Sequence, residues 1–325
     1  MQTFSQLLSK LDLFLSNAQW PEEIPQLYEP LSYFMTLPAK RVRPVSLLLS
    51  YQLFHENIEP ALPLAKAIEW FHNFTLIHDD IMDQAPLRRG LPTVHEKYGQ
   101  NTAILSGDVL LIKVYELIVD SIPSELLSQV MTCFNRVAID VCEGQQLDMN
   151  YENISEVSKL EYTNMIRLKT AVLLGASIKM GAILAAAPSK DAENLYDFGT
   201  ELGLAFQIQD DYLDVFGNPN KVGKQAGGDI IQCKKGAPFI AARDMLSGQE
   251  REKFISEYLD TSQAPAAKVK VVLDRLHGMG VEDTVNKWKQ EHQDKAMHSL
   301  KNISFSEQQK LPLMQFAEML LARES

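Results

Sequence analysis

The stretch FHNFTLIHDDIMD, residues 71–83, joins an apolar segment to a D-D-x-x-D cluster that runs from Asp79 to Asp83. Residues 202–214, LGLAFQIQDDYLD, repeat this arrangement and end in the same D-D-x-x-D pattern. On a helix the first and last aspartates of such a cluster lie one turn apart on one face, and the middle aspartate points about 100° away. We therefore expect two helices whose ends each present a pair of carboxylates.

Helical periodicity continues on both sides of these segments. Apolar residues recur at three- and four-residue spacing, as in Leu47, Leu48, Tyr51 and Phe54, and no convincing strand is found. The chain has only 16 Gly and 15 Pro among 325 residues, so long elements are expected. The longest predicted helical segments are 61–82, 124–150 and 156–187. The pattern predicts an all-α fold, a large helical bundle that forms one domain over residues 1–325.

Composition excludes several classes of protein. The formal net charge of −11 disfavours nucleic acid as a partner, because phosphate backbones are bound by a surplus of Lys and Arg. The three dispersed cysteines argue against a disulfide framework and a structural zinc site. The longest apolar stretch, residues 171–188, is interrupted by Ser177 and Lys179, so no integral membrane segment is predicted. The N-terminal residues do not read as a secretion signal, and we expect a cytoplasmic protein.

The paired aspartate clusters point to a metal site. A single D-D-x-x-D in an acidic protein is usually a solvated helix end. Two copies in apolar context favour hard oxygen ligands for Mg²⁺, with Mn²⁺ as the alternative. Because Mg²⁺ shares its coordination with substrate phosphates, the clusters predict a phosphorylated ligand held through metal.

Such a ligand also needs direct cationic contacts, and basic residues occur in compact groups near the aspartates. Each of them alone would be an ordinary surface charge. Arginine suits bidentate phosphate contacts and lysine suits point-charge contacts. The candidates are Lys40, Arg41, Arg43, Arg88, Arg89, Arg167, Lys169, Lys224, Lys234 and Lys235.

Together these motifs resemble the trans-isoprenyl diphosphate synthase family, the head-to-tail polyprenyl synthetases, over about residues 40–238. KRVRP at 40–44 is similar to the family motif G-G-K-R-x-R-P, and the first aspartate cluster followed by LRRG at 87–90 resembles its first aspartate-rich region. The remaining matches, in the family's order, are EGQQLD at 143–148, KT at 169–170, FQ at 206–207 with the second aspartate cluster, and GD at 228–229 with Lys234.

The resemblance implies a prenyltransferase that condenses isopentenyl diphosphate with an allylic diphosphate in a bundle with a deep central apolar pocket. It implies three Mg²⁺ per active site as cofactor, and a homodimer. The implied metal ligands are Asp79, Asp83 and Asp210, with Asp80, Asp211 and Asp214 in support. The implied contacts to the allylic diphosphate are Arg88, Lys169, Lys224 and Lys234. The implied contacts to isopentenyl diphosphate are Lys40, Arg43, His72 and Arg89, with a core position as the competing interpretation of His72. Thr170 and Gln207 would line the reacting centre, with Phe206 near the developing cation.

Two departures from the family pattern stand out. Pro38 and Ala39 replace the two glycines before Lys40, and Lys235 with Gly236 replaces the small hydroxyl residue that often follows Lys234. Neither change removes a charge, so activity is expected.

Product length is expected to depend on the side chains that precede Asp79. In the family, bulky residues there form the floor of the pocket, and here they are Phe74 and Phe71, with the small Thr75 at position −4. This pattern is similar to medium-chain members. It predicts geranylgeranyl diphosphate as the product, with farnesyl diphosphate as the alternative, and a longer product for Phe74→Ala.

Two other functions compete with this interpretation. A class I terpene cyclase also uses D-D-x-x-D, but generally carries Asn/Asp, Ser/Thr and Glu in place of the second cluster. A non-catalytic prenyltransferase subunit typically loses aspartates or arginines, and none is lost here.

Overall fold

Helices account for most of the residues in the computed structural model, which describes residues 1–17, 19–217 and 227–322. The all-α prediction is confirmed. The α-helices in chain order are α1 (Phe4–Ser16), α2 (Pro25–Thr36), α3 (Val42–Tyr51), α4 (Leu62–Met82), α5 (Val94–Tyr98), α6 (Gln100–Ser121), α7 (Ser124–Glu152), α8 (Lys159–Ile166), α9 (Val172–Leu184), α10 (Ser189–Phe216), α11 (Gly228–Ile231), α12 (Ala237–Asp244), α13 (Gly248–Leu259), α14 (Pro265–Gly278), α15 (Val281–Lys301) and α16 (Glu307–Leu321). A 3₁₀ turn spans Glu59–Ala61, and a π-helical turn spans Arg167–Ala171.

The chain divides into two compact units. The first consists of Met1–Cys133 with Ser177–Ala192, and the second of Phe134–Ala176 with Glu193–Ser325. Helices α7, α9 and α10 contribute residues to both units. The single domain over residues 1–325 stays a prediction.

A short β-hairpin contradicts the expectation that the chain has no strand. β1 (Leu87–Arg88) pairs antiparallel with β2 (Leu91–Pro92), and Arg89 and Gly90 form the turn. Both turn residues have positive φ, 54° and 79°, which is the conformation of a type I′ hairpin turn. Strands this short carry no alternation of apolar and polar residues, so the sequence pattern did not reveal them.

The core of the first unit forms around α4. Ile68 and Phe71 on this helix are almost fully buried. α6 approaches closely at Gly107, where a Cβ would lie 2.3 Å from Nε2 of His78. That nitrogen is 3.2 Å from the carbonyl oxygen of Ile104. The close packing fixes the end of α4, which carries the first aspartate cluster.

The core of the second unit is rich in aromatic rings. Phe239 on α12 lies with its ring centroid 4.5 Å from that of Tyr258 and 5.7 Å from that of Phe254, both on α13. Ile208 of α10 and Tyr162 of α8 belong to the same buried cluster. These contacts fix α10 where it carries the second aspartate cluster.

The predicted long helix 156–187 is interrupted. α8 begins with a capping box in which the Ser158 hydroxyl accepts from the N–H of Glu161. The π-helical turn then connects it to α9. Single π turns inside helices occur frequently at functional sites, and this one contains Lys169 and Thr170.

Candidate active site

The first aspartate cluster lies at the C-terminal end of α4, in the first unit. The N–H of Asp83 donates to the carbonyl oxygen of Asp79 at 2.8 Å, so the two residues stand one helical turn apart as predicted. Asp83 is exposed and the Asp79 side chain is 22% exposed. Asp80, between them, is buried. The outer two carboxylates therefore share the side of the helix that meets solvent.

Arg88 holds the middle aspartate. Its Nε lies 2.9 and 2.8 Å from the two carboxylate oxygens of Asp80, and its Nη2 lies 2.7 Å from Oδ1. The same Nη2 is 3.7 Å from Oδ2 of Asp79. Burial raises the pKa of Asp80, and Arg88 opposes that shift. Arg88 thus ties the hairpin to α4 at the aspartates.

A cluster of arginines surrounds a buried acid on α4. Glu69 is only 2% exposed, and its Oε1 accepts from Nη1 of Arg41 at 2.5 Å. Burial raises the pKa of Glu69, whereas Arg41, Arg43 and Arg89 act in the opposite direction. Glu69 is therefore the counter-charge of the arginine cluster, which we define as Arg41, Arg43 and Arg89.

His72 lies against the arginine cluster as a neutral base. Nη1 of Arg43 is 3.1 Å from Nε2 of His72, and because an arginine N–H can only donate, this nitrogen accepts. Burial, followed by the charges of Arg43 and Arg89, lowers the pKa of His72 well below its ordinary value. Burial also lowers the pKa of Arg43 to about 10, against the effect of Glu69.

The structure brings together three of the four residues predicted to contact isopentenyl diphosphate. Arg43 and Arg89 share Glu69 as counter-charge, and Arg43 donates a hydrogen bond to His72. Arg89 occupies the hairpin turn, with Nη1 3.5 Å from the carbonyl oxygen of Leu37. Lys40 is exposed on the segment that leads into α3.

The residues predicted to limit product length follow one another along α4. The ring of Phe74 lies 5.9 Å from that of Phe71 and 4.8 Å from that of His78, centroid to centroid. Phe71 is buried and Phe74 is half-buried. The Thr75 hydroxyl donates to the carbonyl oxygen of His72 at 2.8 Å.

The second aspartate cluster lies near the end of α10, in the second unit. Asp210 is exposed, whereas Asp211 is 8% exposed and accepts three hydrogen bonds. They come from the Tyr162 hydroxyl at 2.6 Å, the Ala237 N–H at 3.0 Å and the Gln207 amide at 3.0 Å. Burial raises the pKa of Asp211, and these hydrogen bonds lower it.

Asp214 anchors the segment that follows α10. Its Oδ2 accepts from the N–H of Asp229 at 2.8 Å, and its carbonyl oxygen accepts from the N–H of Gly227 at 2.7 Å. A Cβ on Gly228 would lie 3.2 Å from Oδ1 of Asp214. A side chain at this position would therefore require the Asp214 carboxylate to shift by a few tenths of an ångström.

The π-helical turn connects to the second cluster through hydrogen bonds. The Thr170 hydroxyl donates to Oε1 of Gln207 at 3.2 Å, and the amide of Gln207 donates to Asp211. Nζ of Lys169 lies 2.5 Å from Oδ2 of Asp148 on α7. The backbone of the turn lies against Gly144, where a Cβ would be 2.2 Å from the backbone nitrogen of Lys169. Phe206, one residue before Gln207, is half-buried.

The segment after α11 carries further candidates. Lys234 is exposed, and its carbonyl oxygen accepts from the Tyr258 hydroxyl at 2.7 Å. Nζ of Lys235 donates to the carbonyl oxygen of Glu152 at 2.8 Å. A Cβ on Gly236 would lie 2.9 Å from Oδ2 of Asp211, so this glycine lets the chain approach the buried carboxylate. Lys224 lies outside the described residues.

Sequence reasoning did not single out two residues of these networks. Glu69 lies among the apolar residues of α4. A single acid at a position that periodicity predicts to be buried could have indicated that it pairs with a buried cation. Tyr162 carried no such signal, because an apolar ring on a helix predicts only burial.

The donor chemistry of the outer aspartates suits a hard divalent cation. Asp79 and Asp83 present carboxylates from one side of α4, and Asp210 presents one from α10. Within residues 1–17, 19–217 and 227–322, no group of three or more His, Cys, Asp or Glu side chains is placed to hold a metal. Mg²⁺ commonly takes one or two carboxylates and completes its coordination with water and substrate phosphates, so paired aspartates fit it.

No helix among the described residues has the length and apolar character needed to cross a membrane. All three cysteines are free thiols.

Comparisons with known proteins agree on one family. The model of the family described as Polyprenyl synthetase matches residues 24–276. The chain is 41% identical to the geranylgeranyl diphosphate synthase of Sulfolobus acidocaldarius over 71% of each chain. It is 37% identical to the short chain isoprenyl diphosphate synthase of Methanocaldococcus jannaschii, over 83% of this chain and 81% of that one. A crystal structure of a geranylgeranyl pyrophosphate synthase superposes with a TM-score of 0.94 at 37% identity, covering both chains completely.

Proposed function

The chain belongs to the polyprenyl synthetase family, and from this premise we propose that it adds isopentenyl diphosphate to allylic diphosphates and releases geranylgeranyl diphosphate. It is a prenyltransferase. The observation that carries the proposal is the arginine cluster, which packs against Glu69 and His72 on the helix that also carries the first aspartate cluster. A metal-free anion site beside a metal site suits a condensing enzyme with two diphosphate substrates, whereas a terpene cyclase has one.

In the proposed reaction the carbon–oxygen bond of the allylic substrate breaks and an allylic cation forms. The double bond of isopentenyl diphosphate attacks that cation, and a proton leaves to the released diphosphate. Mg²⁺, three ions held by Asp79, Asp83 and Asp210, would supply positive charge to the leaving group. Arg43, Arg89, His72 and Lys40 would hold isopentenyl diphosphate.

Residues of the second unit would act on the allylic substrate. The sequence motifs assign its diphosphate to Lys169, Lys224 and Lys234, and also to Arg88. Thr170 and Gln207 would present oxygen dipoles to the cation, since the Thr170–Gln207–Asp211 hydrogen bonds fix their orientation. The Phe206 ring would offer a weakly nucleophilic face.

The product is proposed from the side chains before Asp79. Phe71 and Phe74 are three residues apart on α4, and their ring centroids lie 5.9 Å from each other. We propose that the two rings, beside the small Thr75, together limit the length of the growing chain. Farnesyl diphosphate is the second candidate.

We also propose a homodimer, on the evidence of α6. Leu105, Ile112 and Val119 recur every seven residues along one side of this helix and are 58%, 65% and 53% exposed. An apolar stripe of this spacing suits a helix of a second copy. Ile112→Arg should convert the dimer to a monomer in light scattering, and Asp120→Asn on the same helix should not. A cytoplasmic location stays a prediction of the sequence.

The test is incubation of the purified protein with isopentenyl diphosphate and dimethylallyl, geranyl or farnesyl diphosphate, with Mg²⁺ or with EDTA, followed by product sizing. We expect metal-dependent formation of the twenty-carbon diphosphate. Asp83→Asn should reduce turnover by about 100-fold or more, as expected when charge stabilisation is lost. Asp108→Asn, an exposed acid on α6, should leave turnover unchanged. A fifteen-carbon end product would favour the farnesyl alternative, a cyclic hydrocarbon would favour a cyclase, and the absence of any elongation would refute the proposal.

A further inference from the structure

A cysteine and a buried lysine lie in contact in the second unit, on residues that the proposed reaction does not use. Cys233 follows α11 with a positive φ of 56°, and Lys268 lies in the first turns of α14. Nζ of Lys268 is 2.9 Å from Sγ of Cys233. The lysine is 3% exposed, and the cysteine is partly exposed.

The burial of Lys268 is unusual for a lysine, and the carboxylate that its charge affects is that of Asp260, whose pKa it helps to lower. Among the described residues, no acidic group forms an ion pair with Lys268, and its other contact is the Tyr258 ring, 5.7 Å from Nζ. A buried ammonium group is costly unless an anion or an acceptor pairs with it. The polar atom that Nζ of Lys268 contacts is the sulfur of Cys233.

We propose that the buried ammonium group of Lys268, in contact with Sγ, makes Cys233 a peroxide-sensitive modification site. In the reaction the thiolate sulfur attacks hydrogen peroxide, an S–O bond forms, the O–O bond breaks, and hydroxide leaves, which gives a sulfenic acid. A small thiol then reverses the oxidation through a mixed disulfide. Thiolates beside a lysine are the cysteines that react in this way.

Cys142 provides an internal comparison. It is the more exposed of the two cysteines, so access alone would make it the faster to react. Burial and the neighbouring Glu143 raise the pKa of its thiol. Charge and access therefore predict opposite orders of reactivity for Cys142 and Cys233.

Oxidation at Cys233 would be transmitted to the next residue. Sγ lies 3.5 Å from the carbonyl oxygen of Tyr258, and the hydroxyl of the same tyrosine donates to the carbonyl oxygen of Lys234. The Lys234 N–H donates to the carbonyl oxygen of Asp229 at 2.9 Å. An oxygen atom added to sulfur needs space among these contacts, so the turn that carries Lys234 must shift. This consequence rests on the proposed function, and the modification itself does not.

The site is tested by treating the whole protein with hydrogen peroxide in the presence of dimedone and measuring labelled peptides by mass spectrometry. We expect Cys233 to be labelled about tenfold faster than Cys142, because a lysine ammonium group lies beside its sulfur. Lys268→Met should reduce the labelling of Cys233 about tenfold, and Lys268→Arg, which keeps a cation, should retain most of it. The matched control is Lys270→Met, which removes an exposed lysine two residues away. Faster labelling of Cys142, or equal labelling in folded Lys268→Met, would overturn the proposal.

Activity gives a separate measurement. Peroxide should reversibly raise the KM for the allylic diphosphate in the wild type and leave it unchanged in Cys233→Ser, which keeps the same Cβ at the positive-φ position. If untreated protein has no prenyltransferase activity, the proposed function fails while the labelling result still decides the modification site. If labelling occurs with no change in KM, transmission to Lys234 is refuted.

Discussion

The substitution Glu69→Gln should weaken the binding of isopentenyl diphosphate while the protein keeps its fold. Glutamine has the size of glutamate and still offers an oxygen to Nη1 of Arg41. It removes the negative charge that Arg41, Arg43 and Arg89 share. Without that charge the three guanidinium groups repel one another, and the geometry that they present to a diphosphate is lost.

The magnitude follows from two opposed contributions. At the observed 2.5 Å between Arg41 and Glu69 the Coulomb attraction is about 7 kcal/mol at an effective dielectric constant of roughly 20. Desolvation opposes it and is the largest cause of the raised pKa of Glu69. Removing one partner of a buried ion pair leaves the other charge uncompensated, which costs roughly 3–5 kcal/mol. Because glutamine keeps a hydrogen bond to Arg41, we expect the free energy of unfolding to fall by about 3 kcal/mol, at the lower end of that range. The KM for isopentenyl diphosphate should rise about tenfold, which corresponds to about 1.4 kcal/mol.

The assay is steady-state kinetics with each substrate varied in turn, together with chemical denaturation. The KM for the allylic diphosphate should stay within about twofold of the wild type, because the arginine cluster is assigned to the other substrate. Asp12→Asn is the matched control, since Asp12 lies 3.7 Å from Nε of the same Arg41 but is 54% exposed. An exposed pair contributes about 0–1 kcal/mol, so this variant should behave as the wild type.

Two results would refute this reasoning. One is an unchanged KM for isopentenyl diphosphate in a folded Glu69→Gln protein, which would mean that the arginines keep their positions without the acid. The other is an equal rise in both KM values, which would indicate a general disturbance of the protein.

Three further predictions concern other parts of the molecule. Phe74→Ala should lengthen the product by about one isoprene unit, since one helical turn rises about 5.4 Å, whereas Leu76→Ala should not; unchanged products on chromatography would contradict the floor assignment. Gly144→Ala should lower the free energy of unfolding by about 1–3 kcal/mol in urea, because its Cβ would lie 2.2 Å from the Lys169 nitrogen; an unchanged midpoint would refute that close approach. The KM for isopentenyl diphosphate should show no inflection near pH 6.5, since the lowered pKa of His72 keeps it neutral there; a step at that pH would contradict the assignment.

The sequence predicted the features that depend on periodicity and on local spacing. The helical class is confirmed, and α4 and α7 begin and end within two residues of their predicted limits. The i, i+4 relation of Asp79 and Asp83 follows from the helix alone.

Features that depend on long-range contacts could not be predicted in this way. Tyr162 and Asp211 are 49 residues apart in sequence, and no local sequence pattern predicts the hydrogen bond between them. The π-helical turn at Lys169 differs from an α-helix only in its hydrogen-bond register, to which side-chain patterns are insensitive. The hairpin at Arg89 and Gly90 depends on positive φ at both turn residues, and arginine is not the residue type that signals it.

The middle aspartates show what the buried acid of each D-D-x-x-D pattern does. Asp80 points about 100° away from Asp79 around the helix, and both of its carboxylate oxygens accept from Nε of Arg88, at the start of the hairpin. Asp211 is turned likewise and holds the N–H of Ala237, at the start of α12. In each unit the buried acid therefore fixes the segment that carries the next basic residues. On a helix the middle residue of the pattern points to a different side of the turn from the outer two. Presenting carboxylates and anchoring the next segment therefore fall to different residues, and loss of the middle acid cannot be compensated by the outer ones.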